Sequence, residues 1–269
     1  MPASPPPPAS EAPAGSEPRR LRLASFNIQT GIATAGYPEY LTGSWQHVWP
    51  SRKRLLNLER IAKILAPFDL AGLQEVDGGG ARSHHVVQAE YLAHLAGYPY
   101  WHNQINRRFG TLALHSNGLL SRLRPDCVED HKLPGLPGRG ALWARYGKDA
   151  ATALYLVVVH LELLRQIRQR QLEYLAERIG HRPHVIMMGD FNCRPDAPEL
   201  KVLWQKTGLC PPQREIMTFP SWRPRMMLDY ILVTPALKIE RMGVIHAPCS
   251  DHLPVSMEIE LPPQLAGVI

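Results

Sequence analysis

The sequence predicts an α/β fold in which two mixed β-sheets pack face to face and helices lie on the outside. Apolar runs are spread evenly over residues 21–261, several pair as strand–turn–strand units, and segments of helical periodicity lie between them. The chain has 269 residues, of which 45% are hydrophobic and 20% charged, so it can bury a substantial core. No internal repeat is present. We therefore expect a single domain over residues 20–269.

In the N-terminal half, residues 21–28 alternate as a strand does, and residues 69–74 form a short apolar run typical of a buried strand. Between them, apolar side chains recur at helical spacing over residues 55–65. A second helix is expected over 86–95. A further strand is expected after Tyr98-Pro99-Tyr100, and residues 111–120 carry Asn117-Gly118 in an apolar context.

In the C-terminal half, residues 141–146 and 154–159 predict an antiparallel pair joined through residues 147–151. A helix is expected over residues 163–179, because apolar side chains recur there at near-helical spacing, and Gly180 fits its C-terminal end. The remaining expected elements are a strand at 184–188, a helix at 198–205, and strands at 227–233, 238–246 and 254–259.

Residues 1–19 differ in composition from the rest of the chain. Prolines occupy positions 5–8, and no large apolar side chain follows Met1 within this segment, so it predicts a disordered tail. It lacks the apolar core of a secretory signal, and no run of 18 apolar residues occurs in the chain. We therefore expect a cytoplasmic protein without a transmembrane segment. Nothing in the sequence indicates an obligate protein partner.

Cysteine usage and charge set further bounds. The four cysteines form no C-x-x-C pair, which argues against a zinc ribbon or a redox dithiol and favours free thiols. Lys and Arg number 30 against 24 acidic residues, a net charge of +6. This surplus suits an anionic substrate, but nucleic acid, anionic lipid or a simply solubilising surface would explain it equally well.

Polar residues follow the apolar runs where the predicted strands end. Because strand ends can meet at one rim of a sheet, these side chains can converge. Carboxylates suit a hard divalent cation, and imidazoles and amides suit a phosphate, so the pattern indicates a metal-assisted phosphoesterase. The five signatures are Ser25-Phe26-Asn27, Leu73-Gln74-Glu75-Val76, Val159-His160-Leu161, Gly189-Asp190-Phe191-Asn192 and Ser250-Asp251-His252-Leu253-Pro254.

The carboxylates are the first candidates for chemistry. A carboxylate at position 75, in an apolar run, would need a partner such as Mg²⁺ or Mn²⁺, although Glu75 could instead be a surface charge beyond the strand end. Asp190 and Asn192 would lie on one side of an extended chain, with Phe191 facing the core. Asp190 could then deprotonate a water while Asn192 holds a phosphate oxygen. The alternative is an ordinary Asp-x-Asn turn.

The imidazoles come next. His252 could be a base or a hydrogen-bond donor to phosphate, and Asp229 could orient it, unless Asp229 is merely a charge at a strand edge. His160, after an apolar run, could act on the leaving group or be a neutral histidine satisfied by backbone. Asn117 and Arg139 are weaker candidates for substrate binding. Asn117 could instead form a turn with Gly118, and Arg139 could be a loop charge.

Taken in order, these motifs resemble the endonuclease/exonuclease/phosphatase (DNase I-like) superfamily, and in particular its small bacterial members. The resemblance covers residues 21–261. It rests on Ser25-Phe26-Asn27, Leu73-Gln74-Glu75-Val76, Asn117-Gly118-Leu119-Leu120-Ser121-Arg122, His160-Leu161, Gly189-Asp190-Phe191-Asn192, Leu228-Asp229-Tyr230-Ile231 and Ser250-Asp251-His252-Leu253-Pro254.

The resemblance implies a four-layered α/β sandwich and a divalent-metal phosphoesterase using Mg²⁺ or Mn²⁺. It implies Glu75 as the chief metal ligand, with Asn27 and Asp251 nearby. The implied catalytic set positions water, phosphate and leaving group, and whether Asp190 or His252 is the base stays open. That set is Asp190, Asn192, Asp229, His252 and His160.

The substrate is less determined. Members that resemble exonuclease III usually have Trp-Asn in the first motif and Lys after Gln-Glu, whereas this chain has Phe26-Asn27 and Val76, so abasic-site repair is disfavoured. Nucleic acid remains one hypothesis, with basic residues 52–54 and 107–108 holding phosphates. A phospholipid or head-group ester is another, with an aromatic loop over residues 37–49 at an interface. A catalytically silent binding module is the third.

Overall fold

The structure is a computed structural model that describes residues 19–33, 52–83, 85–110, 113–265 and 267. The strands in this part of the chain are β1 (Arg20–Asn27), β2 (Leu70–Asp77), β3 (Tyr100–Phe109), β4 (Ala113–Ser121), β5 (Cys127–Lys132), β6 (Gly140–Tyr146), β7 (Leu154–His160), β8 (Val185–Asp190), β9 (Asp229–Val233), β10 (Lys238–Val244) and β11 (Val255–Glu260). The α-helices are α1 (Arg52–Leu65), α2 (Gln88–Ala96), α3 (Arg165–Ile179) and α4 (Lys201–Lys206).

These strands form two mixed sheets. One has the order β10-β11-β1-β2-β4-β3 and the other β5-β6-β7-β8-β9. In the first sheet β1 and β2 are parallel, and in the second β7 and β8 are parallel, while the other neighbours are antiparallel. Each parallel pair therefore brings two strand ends to the same edge of its sheet.

Alternation along the central strands produces four layers. In β7, Leu156 and Val158 pack in the core between the sheets, whereas Val157 and Val159 pack against α3. In β1, Leu23 faces the inter-sheet core and neighbouring side chains pack with α1 and α2. Because successive strand residues point to opposite faces, each sheet is covered on both sides. The predicted four-layered α/β sandwich is confirmed.

The local expectations hold with three differences. β5 was not predicted, because it is a polar edge strand with no apolar run to reveal it. Asn117 lies inside β4, so it does not form a turn with Gly118. The predicted helix at 198–205 is a 3₁₀ turn (Pro198–Leu200) followed by the short α4.

Two predicted segments fall outside the described residues: the tail, apart from Arg19, and the aromatic loop over residues 37–49. Among the helices that the structure describes, none combines the length and apolar character needed to cross a bilayer.

Candidate active site

The strand ends bring the predicted site residues to one rim. His160 ends β7 and is paired with Asp190 at the end of β8, and Asp190 is in turn paired with Asp229 at the start of β9. Asn27 ends β1 in the facing sheet and is paired with Gln74, the residue before Glu75. The topology therefore places side chains from both sheets at a common edge.

Gly189 allows Asp190 to reach this rim. Its φ is +151°, and a Cβ atom there would lie 1.9 Å from the carbonyl oxygen of Val159. After Asp190, the ring of Phe191 is buried and meets the ring of Tyr230 edge-on at a centroid distance of 4.8 Å. A glycine before the carboxylate and an aromatic anchor behind it thus fix the Asp190 backbone.

The chain turns at Asn192 instead of remaining extended. Asn192 has a φ of 51°, and its backbone N–H donates to Asp190 Oδ1 at 2.9 Å. Its Nδ2 donates to the Leu161 carbonyl at 2.9 Å. The expectation of an extended Asp-x-Asn segment is therefore wrong in its geometry, because the local side-chain bond favours a turn. The turn still holds Asn192 beside the end of β7.

Asp190 is the centre of the polar network. Its Oδ2 accepts a hydrogen bond from Asn27 Nδ2 at 3.1 Å, and lies 3.5 Å from His160 Nε2 and 3.9 Å from His252 Nε2. Burial raises the pKa of this carboxyl to about 7, with Asp229 adding to the rise and His252 opposing it. A buried carboxyl with a near-neutral pKa can exchange a proton at physiological pH.

Asp229 and His252 form a buried pair. His252 Nδ1 lies 2.8 Å from Asp229 Oδ2, so the neighbouring strand-end carboxylate orients the ring. Burial alone would lower the pKa of His252, but the carboxylates of Asp229 and Asp190 outweigh it and raise that pKa to about 10. His252 is therefore an imidazolium at neutral pH. Asp229 is not a strand-edge charge, because it is buried against this ring.

Asn27, Glu75 and Asp251 lie together beside this pair. Asn27 Nδ2 is 3.4 Å from Glu75 Oε1. The Ser250 hydroxyl donates to the Asn27 carbonyl at 2.7 Å and lies 3.2 Å from Asp251 Oδ1, which ties the last motif to the first. Burial raises the pKa of Asp251 to about 6. The positive charge of His252 opposes this rise, and the negative charge of Glu75 adds to it.

Glu75 reaches the group through an irregular backbone. The β2–β4 register shifts between Leu73 and Val76, and Glu75 has a φ of 54°. A non-glycine residue in the left-handed region costs free energy, and such residues concentrate at functional sites. The bulge redirects the Glu75 side chain, which is only partly exposed and is not a surface charge beyond the strand.

Two groupings could hold a divalent cation. The ligand atoms of Asp190, Asp229 and His252 lie within 4.8 Å of one another. However, two of these groups are already bonded to each other, since His252 Nδ1 lies 2.8 Å from Asp229 Oδ2, and Asp190 Oδ2 accepts from Asn27 Nδ2 at 3.1 Å. We therefore regard this cluster as a hydrogen-bonded network.

The second grouping fits a hard cation better. Glu75 and Asp251 provide carboxylate oxygens, and among the described residues neither forms an ion pair with a basic side chain. The Asn27 amide oxygen, which also accepts from the Gln29 N–H at 3.1 Å, is the third oxygen of the grouping. Two neighbouring carboxyls that form no ion pair match the preference of Mg²⁺ or Mn²⁺ for oxygen ligands.

His160 and Arg139 form the other side of the site. Arg139 Nη1 lies 2.5 Å from His160 Nε2, and Arg139 Nε is 3.7 Å from Glu162 Oε2. Burial, and then the positive charges of Arg139 and His252, lower the pKa of His160 well below its usual 6.5. His160 is therefore neutral and accepts from Arg139 at Nε2. Its partner is a guanidinium instead of backbone, and Arg139 is more than a loop charge.

Asn117 supports the same side from β4. Its Nδ2 donates to Gln104 Oε1 at 3.1 Å and to the Gly140 carbonyl at 3.0 Å. A Cβ at Gly140 would lie 2.1 Å from Asn106 Oδ1, so glycine permits this close approach. Asn117 thus joins the two sheets beneath the site.

A cleft of about 410 Å³ opens at this point. It is lined by Glu75, Asn106, Arg107, His115, Ser116, Asn117, Leu136, Pro137, Gly138, Arg139, His160 and Glu162. Sequence reasoning did not identify His115 or Glu162 as site residues. Strand periodicity offered a signal for one of them, because His115 lies two positions before Asn117 and so on the same face of β4. Glu162 lies beyond the strand, where periodicity ends.

Comparison with known proteins agrees with this geometry. The sequence profile of the Endonuclease/Exonuclease/phosphatase family matches residues 24–252. The uncharacterized protein YbhP of Escherichia coli K12 is 30% identical over 240 residues, covering 78% of this chain and 90% of YbhP.

Solved structures share the fold. The endonuclease/exonuclease/phosphatase of Beutenbergia cavernae superposes with a TM-score of 0.68 at 21% identity, covering 90% of this chain and 72% of that one. A mannosyl-6-phosphatase of Bacteroides thetaiotaomicron gives 0.67 at 17% identity, covering 89% and 99%. This chain belongs to the Endonuclease/Exonuclease/phosphatase family.

Proposed function

We propose that this chain is a divalent-metal-dependent phosphoesterase that hydrolyses a phosphodiester by in-line attack of water. The observation that carries the proposal is the position of Asp190. Its buried carboxyl, with a pKa raised to about 7 by burial, lies within 3.9 Å of a carboxamide and two imidazoles. A proton acceptor is thereby placed among groups that can bind a phosphate.

Asp190 is the general base in this proposal, and His252 is a cationic hydrogen-bond donor. A base must be able to take a proton at neutral pH, and a pKa near 7 suits this role. His252, with a pKa raised to about 10 chiefly by Asp229 against the effect of burial, already carries its proton. Its Nε2–H can therefore stabilise negative charge on the phosphate.

The Arg139–His160 pair receives the other phosphate oxygens and the leaving group. Arg139 supplies a fixed positive charge. Its N–H, which donates a hydrogen bond to His160 Nε2, can donate to a phosphate oxygen instead when substrate binds. A bound anion beside His160 raises the pKa of the imidazole, because an opposite charge favours its protonated form. His160 can then protonate the departing oxygen as the water oxygen bonds to phosphorus and its proton passes to Asp190.

The cation is Mg²⁺ or Mn²⁺, held by Glu75 and Asp251 with Asn27 alongside. When bound, it neutralises charge on the phosphate oxygens and acts as a Lewis acid. Asn192 and Asn117 stabilise the backbone around the site. Asn192 holds the end of β7 through the Leu161 carbonyl, and Asn117 lines the cleft between the sheets.

The mouth of the cleft favours an amphiphilic substrate. Leu136 lines the cleft and is 57% exposed, and Leu163 and Leu164, which follow the cleft residue Glu162, are 67% and 59% exposed. Exposed leucines beside an opening that also carries Arg107 and Arg139 suit acyl chains and an anionic head group. We therefore favour a phospholipid-type diester over nucleic acid.

A substrate panel tests the proposal. Purified full-length chain is assayed on plasmid DNA, RNA, phospholipid vesicles, a chromogenic phosphodiester and a sugar phosphomonoester, each with Mg²⁺, Mn²⁺ or chelator. We expect metal-dependent turnover of vesicles and chromogenic diester, lost in Glu75→Ala and His252→Ala and kept in the exposed control Glu177→Ala. Turnover of nucleic acid alone would reverse the substrate choice. No turnover on any substrate would leave the silent binding module as the better hypothesis.

A further inference from the structure

A second cavity, of about 160 Å³, lies away from the catalytic cleft. Its lining includes Arg145 at the end of β6 and Tyr155 near the start of β7, and it shares no residue with the cleft at His160. His160 lies five positions after Tyr155 along β7, which at ~3.3 Å per residue is about 17 Å. The cavity is therefore not part of the site described above.

Three guanidinium groups line this small space: Arg145, Arg178 and Arg182. In the described part of the chain none of them forms an ion pair with a carboxylate. Glu129 is the acidic residue of the lining, and its Oε2 is bonded to His131 Nε2 at 3.0 Å. Three like charges around one cavity repel one another, so an anion bound between them would relieve the repulsion.

The arginines are held in place by other contacts. The Arg182 guanidinium lies 4.9 Å over the Tyr155 ring, and its Nη1 donates to the Ile179 carbonyl at 2.8 Å. The Arg178 guanidinium lies 5.3 Å over the Tyr174 ring. Arg145 Nη1 donates to the Lys148 carbonyl at 2.8 Å. Side chains that are already ordered lose less entropy on binding, and each keeps further N–H donors.

An unpaired hydrogen-bond donor lies in the same lining. The indole Nε1 of Trp143 is buried and has no acceptor in the described structure. A buried donor without a partner costs about 1–3 kcal/mol, and so such groups are rare. A ligand rich in acceptor oxygens, or a water that it orders, would satisfy this donor. The three positive charges and the indole donor would therefore both be satisfied by an anion with several acceptor oxygens.

We propose that this cavity binds a phosphate group, either as inorganic phosphate or as the phosphate of a small organic monoester. Guanidinium groups bind phosphate through paired N–H···O bonds, and phosphate offers only acceptors at neutral pH apart from one hydroxyl. Its two charges and four oxygens match three guanidiniums and an indole better than a single carboxylate does. The volume accommodates phosphate and a short substituent.

Cys127 provides a local readout, because it lines the cavity and is partly exposed, as Cys210 is elsewhere in the chain. Maleimide labelling of both thiols is followed by mass spectrometry with inorganic phosphate, glycerol phosphate or chloride at equal ionic strength, in chelator. At ten times the dissociation constant, phosphate should slow Cys127 labelling about elevenfold while Cys210 is unaffected. Protection by glycerol phosphate alone would identify an organic ligand.

Variants assign the effect to the arginines. Arg178→Gln combined with Arg182→Gln should abolish protection of Cys127 and remove one calorimetrically measured phosphate-binding event. Arg170→Gln, the same charge change at an exposed position of α3, should keep both. The proposal is overturned if neither phosphate compound protects Cys127 more than chloride does, or if Arg170→Gln loses protection to the same extent as the double variant.

Discussion

His252 Nδ1 donates a hydrogen bond of 2.8 Å to Asp229 Oδ2 inside the protein, where both side chains are almost completely buried. Asp190 and His252 both have a pKa above the ordinary value, and Asp190 still releases its proton at a lower pH than His252 does. The pKa of Asp190 rises to about 7 because of burial, while that of His252 rises to about 10 because two carboxylates outweigh burial. In the proposed mechanism, this separation gives the roles of base and charged donor to different residues.

Asp229→Asn tests whether the charge of Asp229 raises the pKa of His252 and supports hydrolysis. The substitution keeps the shape of the partner but removes its charge, so the pKa of His252 should fall towards its ordinary value. The rate constant kcat should fall by roughly 10²–10⁴. NMR titration of His252 and steady-state kinetics measure the two changes. Asp196→Asn, at a carboxylate that is 82% exposed, is the control. An unchanged His252 pKa would remove Asp229 from this role.

Stability should depend on pH through His252. Its folded pKa of about 10 lies above the usual 6.5, so its stabilising contribution is complete below pH 6.5 and is lost as the pH rises towards 10. Between these values the unfolded chain has released a proton that the folded chain keeps. In chelator, the free energy of unfolding should therefore decline by up to about 1.4 kcal/mol per pH unit from this group. Urea titrations of His252→Gln should show a shallower decline, and equal slopes would contradict the assignment.

Much of the site could be predicted because its residues lie where apolar runs stop. Asn27, Glu75, His160, Asp190 and His252 each end or follow such a run, and parallel strand pairs bring their ends together. What was missed depends on contacts between distant segments. The Arg139–His160 contact joins a loop to a strand end, and no periodicity encodes it. The near-neutral pKa of Asp190 follows from burial, which the order of residues does not reveal.

The local backbone conformation at the site could not be predicted from the hydrophobic pattern either. Alternating polarity assumes an extended chain, whereas Glu75 and Asn192 both adopt positive φ values. β5 escaped prediction because an exposed edge strand needs no apolar face. These departures concentrate at the site and at a sheet edge, where tertiary contacts override local preference.

The conformation of Glu75 gives a second kind of mutational prediction. A residue with a φ of 54° carries a strain of order 1–3 kcal/mol unless it is glycine. Glu75→Gly should therefore leave the metal-free protein equally or more stable, while Glu75→Ala stays close to wild type. Both should lose calorimetric Mg²⁺ or Mn²⁺ binding and metal-dependent hydrolysis. Retained metal binding in both variants would exclude Glu75 as a ligand.

Gly189 should tolerate no side chain. Its φ of +151° is unfavourable for other residues, and a Cβ would lie 1.9 Å from the backbone oxygen of Val159. We expect Gly189→Ala to lower the free energy of unfolding by at least about 2 kcal/mol and to displace Asp190. Gly208→Ala is the matched control, because its Cβ would meet Thr234 at an ordinary 3.5 Å. Similar urea midpoints for the two variants would show that the β8 backbone relaxes freely.

The exposed leucines that follow the cleft residue Glu162 in the chain should matter for a lipid surface and not for a soluble ester. Leu163 and Leu164 are 67% and 59% exposed beside the cleft residue Glu162, and each can bury apolar area only by entering an interface. Replacing both by Ser should preserve folding, because Leu164 is the N-cap residue of α3 and Ser is favourable there.

The rates of hydrolysis of vesicles and of a soluble diester show whether these leucines contact lipid. Hydrolysis of anionic phospholipid vesicles by the double variant should fall by roughly tenfold or more, since each exposed leucine contributes on the order of 1 kcal/mol to insertion. Hydrolysis of the chromogenic diester should stay unchanged. Leu95→Ser, at a 45% exposed leucine on α2, controls for loss of surface hydrophobicity as such. If the double variant and Leu95→Ser hydrolyse vesicles equally well, Leu163 and Leu164 do not contact lipid. The choice of a phospholipid-type substrate then loses its structural support.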